Sequence, residues 1–467
     1  MFYFCRPFLL GEDKNETTRI LGGEKWVRGH WWYKLAHVCR RWRSTIFSSA
    51  SRLDLSLVCT NGTPVADMLD HSPPLPLVLD YSDEYSDFTT EDEERTILAL
   101  KQRNRIRRVR LRVDVATLQK LIVAIKVAID GVYLSLEYLI IIHRSKENSA
   151  AMMLPETFQA PHLRHLVLGG FAPPRVLATT VGLVTLDISM GHPSTYIHPN
   201  TLLHCLSFMP WLETLKIIFL VVDPNHDVEG QLTHTPITTS ITLPNLRRIW
   251  YRGLSIYLEA VLCWITTPRL ETLCSTFFWE PTYTVPCLLR FVNTTKSLRF
   301  ESAKIMLTSN QALVNLYPHR GRKEYQVYAL CLNVNREHLD VQVSFAAQIS
   351  EFLSQAFTSV ERLTFEHSVH SRSSEERNEV DQTEWRKLLS SFRNVKSLRI
   401  AKGLVEALSR FLDLEDRKHP FALLPELQEL VYVGIGDSDD EFASFIDARR
   451  KAGRPMALVR KTTLIRR

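Results

Sequence analysis

The chain has 467 residues, 45% of them hydrophobic and 23% charged, so it is not a disordered chain and has ample apolar content for several ordinary domains or one long repeat array. The formal charge of +6, from 57 Lys and Arg against 51 Asp and Glu, is modest and spread along the chain, and does not by itself imply a nucleic-acid partner. Eight cysteines, at 5, 39, 59, 205, 263, 274, 287 and 331, form no Cys-x-x-Cys pair and read as reduced core residues of a cytoplasmic or nuclear protein without a disulfide framework.

The opening Met1 to Leu10 carries one Arg and is followed at once by Glu12, Asp13 and Lys14, which is not the layout of a secretory signal. From Trp31 to Ile46 the residues Leu35, Val38, Cys39, Trp42 and Ile46 recur at three- and four-residue steps. That spacing predicts one helical stripe, with Arg40, Arg41 and Arg43 on the other side. Such a stripe needs a partner. It is either a docking face or an amphipathic helix packed on its own domain.

Beyond residue 50 short apolar strands follow one another: Leu53-Asp-Leu55-Ser-Leu57, Leu75-Pro-Leu77-Val-Leu79, Ile106-Arg-Arg-Val109-Arg-Leu111 and Leu136-Glu-Tyr-Leu139-Ile-Ile141. Between Lys101 and Arg112 seven of twelve residues are basic, directly after the acidic run Glu91 to Glu94. The pair reads either as a site for phosphate or an acidic segment, or as a helix with an acidic first turn and a basic last turn leading into an exposed strand face. The apolar stretch from Leu121 to Ile142 is interrupted by Lys126, Asp130, Gly131 and Glu137, so it predicts a helix to about Ile129 and a strand from about Leu136, and no membrane span.

A weak repeat then persists along the chain, in the form Leu-x-x-Leu-x-Leu: Leu163-Arg-His-Leu166-Val-Leu168, Leu183-Val-Thr-Leu186-Asp-Ile188, Leu212-Glu-Thr-Leu215-Lys-Ile217, Leu246-Arg-Arg-Ile249-Trp-Tyr251 and Leu270-Glu-Thr-Leu273. Thr295-Lys-Ser-Leu298-Arg-Phe300, Val360-Glu-Arg-Leu363-Thr-Phe365, Val395-Lys-Ser-Leu398-Arg-Ile400 and Leu427-Gln-Glu-Leu430-Val-Tyr432 continue it. Pro161, Pro210, Pro244, Pro268 and Pro425 stand two positions ahead of a first leucine, ending a helix and starting an extended segment. Helical stripes such as Leu202/Leu203/Leu206, Val261/Leu262/Ile265, Ile349/Phe352/Leu353 and Trp385/Leu388/Leu389/Phe392 lie upstream. This is leucine-rich-repeat grammar, and a unit of roughly 20 to 35 residues buries its apolar face only by stacking on its neighbours.

In such an array the leucines point inward and the alternate strand residues form an open face. The candidate substrate-binding set is Arg108, Arg110 and Arg112 on one strand and Arg248, Trp250 and Arg252 on another, two basic ridges expected on one concave face with an aromatic between them. Tyr138, Ile140, His165, Val167, Thr214, Lys216, Thr272, Arg299, Arg362 and Arg399 are expected to accompany them. Mixed Arg, Trp and Tyr is the composition of interface hot spots, and also that of ordinary solvated strand faces. The irregular polar stretch from Asp223 to Thr239 is the competing place for a site.

Motifs of catalysis are not found: no Gly-rich phosphate loop, no His-Glu-x-x-His and no Gly-x-Ser-x-Gly. His162/His165 and His367/His370 are three apart but lie at or beside strands, and Asp437, Asp439, Asp440 and Glu441 read as a solvated turn, so neither a metal site nor a cofactor is expected. The tail from Arg449 to Arg467, with eight basic residues, reads as a solvated end.

Taken together, Phe4-Cys5-Arg6-Pro7, His37-Val-Cys-Arg-Arg-Trp-Arg43, Arg52-Leu-Asp-Leu-Ser-Leu-Val-Cys-Thr60 with Gly62-Thr63-Pro64, and Pro74-Leu-Pro-Leu-Val-Leu-Asp-Tyr81 resemble the F-box and leucine-rich-repeat proteins of mushroom-forming fungi. The resemblance implies a substrate receptor of an SCF-type cullin ubiquitin ligase. Trp31, Leu35, Val38, Cys39, Trp42 and Ile46 would then dock a Skp-type adaptor, and the repeats would select a protein substrate. Boxes of this type open with a Leu-Pro-x-Glu-x-Leu-x-x-Ile-Phe helix, of which Met1 to Phe4 resembles only the tail, so the box is expected to be truncated. The resulting expectation is an α/β leucine-rich-repeat-like solenoid, a curved parallel sheet with helices outside, over 51–448, preceded by a partial F-box over 1–50 and followed by a basic tail over 449–467. The chain would be a non-enzymatic receptor, with a ligase-independent repeat scaffold as the alternative and a nucleic-acid-binding repeat protein as the third reading.

Overall fold

The computed structural model describes residues 32, 36–50, 53–82, 88–127, 132–144, 152–154, 158–171, 180–191, 195–220, 240–278, 285–318, 328–368, 381–418, 422–433 and 441–461. The chain divides into two compact units, residues 1–197 with 205–212 and residues 198–204 with 213–467.

In the first unit six strands run parallel and in chain order: β1 (Leu57–Cys59), β2 (Leu77–Ser82), β3 (Ile106–Asp114), β4 (Tyr138–Arg144), β5 (His165–Gly169) and β6 (Thr185–Met190). Their register places Cys59, Leu79, Val109, Leu139, Leu166 and Leu186 in one row and Tyr81, Leu111, Ile141, Leu168 and Ile188 in the next. Every one of these residues is buried. The register shifts between Leu77 and Val78, so Arg107 is an extra residue on β3, and its guanidinium ties Asp54 to Glu137. This bulge lets Ile106 and Val109 both face the core, and it turns Arg108, Arg110 and Arg112 to the opposite side.

The helices α1 (Arg40–Ser48), α2 (Val65–His71), α3 (Thr90–Leu100) and α4 (Val115–Val127) belong to this unit. The acidic start predicted before Lys101 is realised in α3. Thr89 caps the helix and Asp92 completes a capping box, with Asp92 also accepting the Gly62 amide at 2.7 Å. Burial opposes the Asp92 charge, but the Gly62 and Thr89 hydrogen bonds outweigh it and hold the carboxyl below its ordinary range. The last turn of α3 carries no basic residue; the basic run starts at its C-cap, Lys101, and continues through Arg103 and Arg105 into β3.

The N-terminal stripe is realised only in part. The helix α1 begins at Arg40 because Cys39 is extended (φ −162°, ψ 168°) and its Sγ accepts the Trp42 amide at 3.5 Å. Val38 is therefore in a turn, 60% exposed, and Cys39 is exposed beside it, not on a continuous helical face. Ile46 is fully buried and Trp32, 1% exposed, packs edge-on against Phe47 at 5.7 Å, while Trp31 and Leu35 lie outside the described residues.

The second unit holds a sheet in the order β7 (Thr214–Phe219), β9 (Arg248–Gly253), β11 (Thr272–Phe277), β14 (Leu330–Asn335), β13 (Gln311–Tyr317), β12 (Ser302–Thr308), β15 (Arg362–Ser368), β16 (Ser397–Ile400), β17 (Glu429–Val433) and β18 (Ala457–Lys461). A two-strand ladder of β8 (Ile241–Thr242) and β10 (Ile265–Thr266) stands beside it in the sequence. One core row reads Leu215, Ile249, Leu273, Leu330, Leu316, Ala303, Leu363, Leu398, Leu430. The rings of Phe365 and Trp385, and of Tyr432 and Phe442, meet at 5.8 and 5.5 Å, which places the helices Gln382–Ser390 and Ala443–Lys451 against this side of the sheet.

The expected strand at Leu298 to Phe300 is not formed: those residues precede β12, and Arg299 is exposed ahead of it. In its place β12, β13 and β14 make an antiparallel meander that reverses the local strand order while β12 and β14 stay parallel to β15 and β11. The turn is closed by the Gln311 amide on Thr308 Oγ1 at 3.1 Å. Phe352, expected on a buried stripe, is 43% exposed at the end of the helix Leu339–Phe352.

Two further expectations are corrected in this unit. Cys263 and Cys287 are joined by a disulfide, their Cα atoms 5.2 Å apart, because Glu259 on Ser255–Leu262 accepts the Cys287 and Leu288 amides and draws the start of Pro286–Thr294 against that helix. The segment expected as a solvated end is anchored at its first residue, while residues 450–455 are exposed. Arg449 is 1% exposed, donates to the Leu423 and Leu424 carbonyls at 2.6 and 2.9 Å, and lies 4.8 Å from the Phe445 ring. Leu424 is held at φ 48°, a left-handed conformation that leucine rarely adopts, and this guanidinium clamp supports it. The chain then returns to the sheet as β18.

The core row has a direct test. Leu273→Asp or Leu398→Asp puts a charge into a fully buried position and is expected to cost about 4 kcal/mol or more in urea unfolding, whereas Thr214→Ala and Arg399→Ala stay within about 0.5 kcal/mol of the parent. Equal sensitivity in the two sets contradicts the alternation. Lys216, expected on the open face, is only 8% exposed and is not placed among the tolerant positions.

Candidate protein-binding faces

On each unit the strand residues opposite the core rows form a face of their own. In the first unit the register aligns Arg108 with Tyr138, His165 and Thr185, and aligns Arg110 with Asp80 on one side and Ile140, Val167 and Asp187 on the other. The first of these rows is a continuous stack. The Arg108 guanidinium lies 4.5 Å from the Tyr138 ring centre, Tyr138 stacks on His165 at 4.2 Å with 8° between planes, and His165 Nδ1 is 3.1 Å from Thr185 Oγ1. Burial, with Arg108 and Arg164 nearby and only Glu137 acting the other way, pushes the His165 imidazole down to about 4. At neutral pH the stack therefore ends in a neutral ring.

In the second row Arg110 Nε is 3.7 Å from Asp80 Oδ1, both side chains being largely buried (13% and 9% exposed). Asp80 was not singled out in the sequence, although it stands at an alternate position of a recognised strand. Arg112 lies one row further along, between Ser82 and Ile142. The three arginines predicted as a ridge do share one strand face, but one is stacked and one is ion-paired.

In the second unit Arg248 and Arg252 are exposed and Trp250 is half-buried, all on the open side of β9. The register extends the Trp250 row through Cys274, Cys331, Asn315, Lys304, Thr364 and Arg399. Arg252 is 5.8 Å from the Phe278 ring, and Lys304 pairs with Glu366 at 2.8 Å. At the carboxyl ends of β12, β15 and β16 a cavity of about 160 Å³ is lined by Met306, Thr308, Glu366, His367, Arg399 and Ala401. Burial holds the His367 imidazole below its ordinary range.

The predicted set is thus divided, with Arg108, Arg110 and Arg112 on the first unit and Arg248, Trp250 and Arg252 on the second. The Asp223 to Thr239 stretch and His370 lie outside the described residues. Asn315, Lys304 and Cys331 were missed because the meander that carries them has no Leu-x-x-Leu-x-Leu signature. Among the described residues no cluster of three metal-ligating side chains occurs, and no helix is long and apolar enough to cross a membrane.

Parallel strands whose Leu-x-x-Leu-x-Leu registers coincide, with the other face left open, define a leucine-rich-repeat-like α/β protein. No family model matches the sequence, and no curated protein matches it. Among solved structures, that of the leucine-rich repeat-containing protein LegL7 from Legionella pneumophila is similar over 86% of this chain and 98% of that one, at 10% identity and a TM-score of 0.25, too distant to add to the register seen directly.

The His165 stack predicts a pH dependence with a defined sign. A histidine held at about 4 in the folded state and near 6.5 when unfolded contributes its stability in full above about pH 6.5 and loses it as the pH falls toward 4. Urea midpoints of the parent should decline through that window, and His165→Phe should flatten the decline. An identical slope in both proteins contradicts the stack.

Proposed function

We propose that the chain is a non-catalytic protein receptor that binds an acidic or phosphorylated segment on the open strand face of its second unit. The observation that carries this reading is the strand β9, where two exposed arginines flank a half-buried tryptophan. Guanidinium forks pair with carboxylate or phosphate, and the indole supplies apolar area between them. The double variant Arg248→Glu, Arg252→Glu is expected to weaken capture of an acidic peptide at least tenfold, about 1.4 kcal/mol, with no change in unfolding midpoint. Unchanged capture moves the site off this face.

The finer reading is that the receptor serves an SCF-type cullin ubiquitin ligase through a Skp-type adaptor. What supports it is the His37-Val-Cys-Arg-Arg-Trp-Arg43 motif, together with a turn and helix that leave Val38 exposed and Trp42 half-buried. Trp32, Phe47 and Ile46 hold the helix α1 from the inside, so adaptor contact falls to Val38, Cys39 and Trp42 among the described residues. The second reading, a repeat scaffold independent of any ligase, is favoured by that same occupation of Ile46 by the chain's own core.

Adaptor binding separates the two. With a fungal Skp adaptor, Trp42→Ala is expected to lose about 2 kcal/mol of affinity, and Arg40→Ala much less. Absence of binding by the unaltered chain at micromolar concentration leaves the scaffold reading.

A further inference from the structure

The disulfide between Cys263 and Cys287 links two helices, but a second pair of thiols stands on the open face of the same unit. Cys274 on β11 and Cys331 on β14 are direct register partners on neighbouring parallel strands, and their thiols share a hydrogen bond. Both are free cysteines. Strands in this arrangement stand about 4.8 Å apart, and disulfides span Cα separations of about 4.4–6.8 Å. The strand spacing falls within that range. The pair is bracketed in its row by Trp250 and Asn315.

The two sulfurs are not equivalent. Cys331 is 6% exposed, whereas Cys274 is half-buried and opens toward the strand face. The Cys274 thiol is held below its ordinary value by hydrogen bonds from Cys331 and Tyr328, against burial, and the Cys331 thiol is raised by its place in the same pair and by burial. The less buried cysteine of the pair, Cys274, is thus the one placed to meet a reagent first.

We propose that Cys274 and Cys331 are a reversible thiol-oxidation site, in which Cys274 attacks a small disulfide of the glutathione type and Cys331 resolves the adduct. In the first step the Cys274 thiolate forms a bond to one glutathione sulfur and the other glutathione leaves as a thiolate. In the second, Cys331 gives up its proton to solvent, its sulfur bonds to Cys274, and the second glutathione leaves. The protein loses two protons and two electrons, and the oxidant takes them up to become two glutathione thiols. The closed bond lies in the Trp250 row of the open face. This inference stands on the register and does not depend on the ligand proposed above.

The test is peptide-resolved mass spectrometry of the full chain after exposure to glutathione disulfide and trapping of residual thiols with iodoacetamide. The expected product is a Cys274–Cys331 cross-link lighter by two hydrogens, reopened by dithiothreitol, with loss of two alkylation sites. Cys331→Ser should stall as a glutathione adduct on Cys274, while Cys274→Ser should leave Cys331 unmodified. A parent protein that keeps an unresolved adduct on Cys274, or that modifies neither residue, overturns the proposal. So does modification of Cys331 in Cys274→Ser as fast as that of Cys274 in Cys331→Ser.

Discussion

The interaction on which the structure depends is the in-register stacking of apolar side chains from strand to strand. A strand alternates faces with a period of two, so a register kept from one strand to the next lays leucine beside leucine along a whole unit. In the first unit the row from Cys59 to Leu186 does this, and in the second the row from Leu215 to Leu430. No single strand of five or six residues buries enough area to hold itself, at about 25 cal/mol per Å² of apolar surface. Each strand inside the order is fixed by two neighbours, and the end strands β1 and β18 by one. The same constraint creates the open face, because whatever occupies the intervening positions must line up too.

That face is ordered by the sheet more than by its own contacts. Arg108, Tyr138 and His165 come from segments far apart in sequence, and they stack because the core leucines beside them are in register. Likewise the Cys274 and Cys331 thiols meet only because Leu273 is paired with Leu330. Side chains placed in this way are held in position before any ligand arrives, which lowers the ordering cost of binding. The two arginines beside Trp250 differ from Arg110 in being exposed, where Arg110 is set against Asp80.

The parallel strands were legible in the sequence because their signal is local: a proline or turn, then leucines at fixed spacing, as at Leu163, Leu212, Leu246 and Leu270. The facing of Arg108, Arg110, Arg112 and of Arg248, Trp250, Arg252 followed from that alternation. What could not be read depends on partners distant in the chain. The β12–β14 meander lacks the repeat signature, although Ala303-x-Ile305-x-Leu307 and Ala312-x-Val314-x-Leu316 alternate about a Thr-Ser-Asn turn. A spacing of 24 residues gave no hint of the Cys263–Cys287 bond, which depends on Glu259 capping a later helix. Arg449 resembles any basic tail residue until the Leu423 and Leu424 carbonyls are placed beside it. The stripe through Val38 and Ile46 was broken by Cys39, whose extended backbone starts the helix at Arg40.

Strand alternation sorts the arginines of this chain into an exposed set and a set consumed by the fold. Labelling of the native full chain with an arginine-specific dicarbonyl, read peptide by peptide in a mass spectrometer, measures this sorting directly. Rapid modification of Arg248 and Arg252 is expected, with Arg110 and Arg449 protected until the chain unfolds. Protection of Arg248 and Arg252 in the native chain, or modification of all four at one rate, would contradict it.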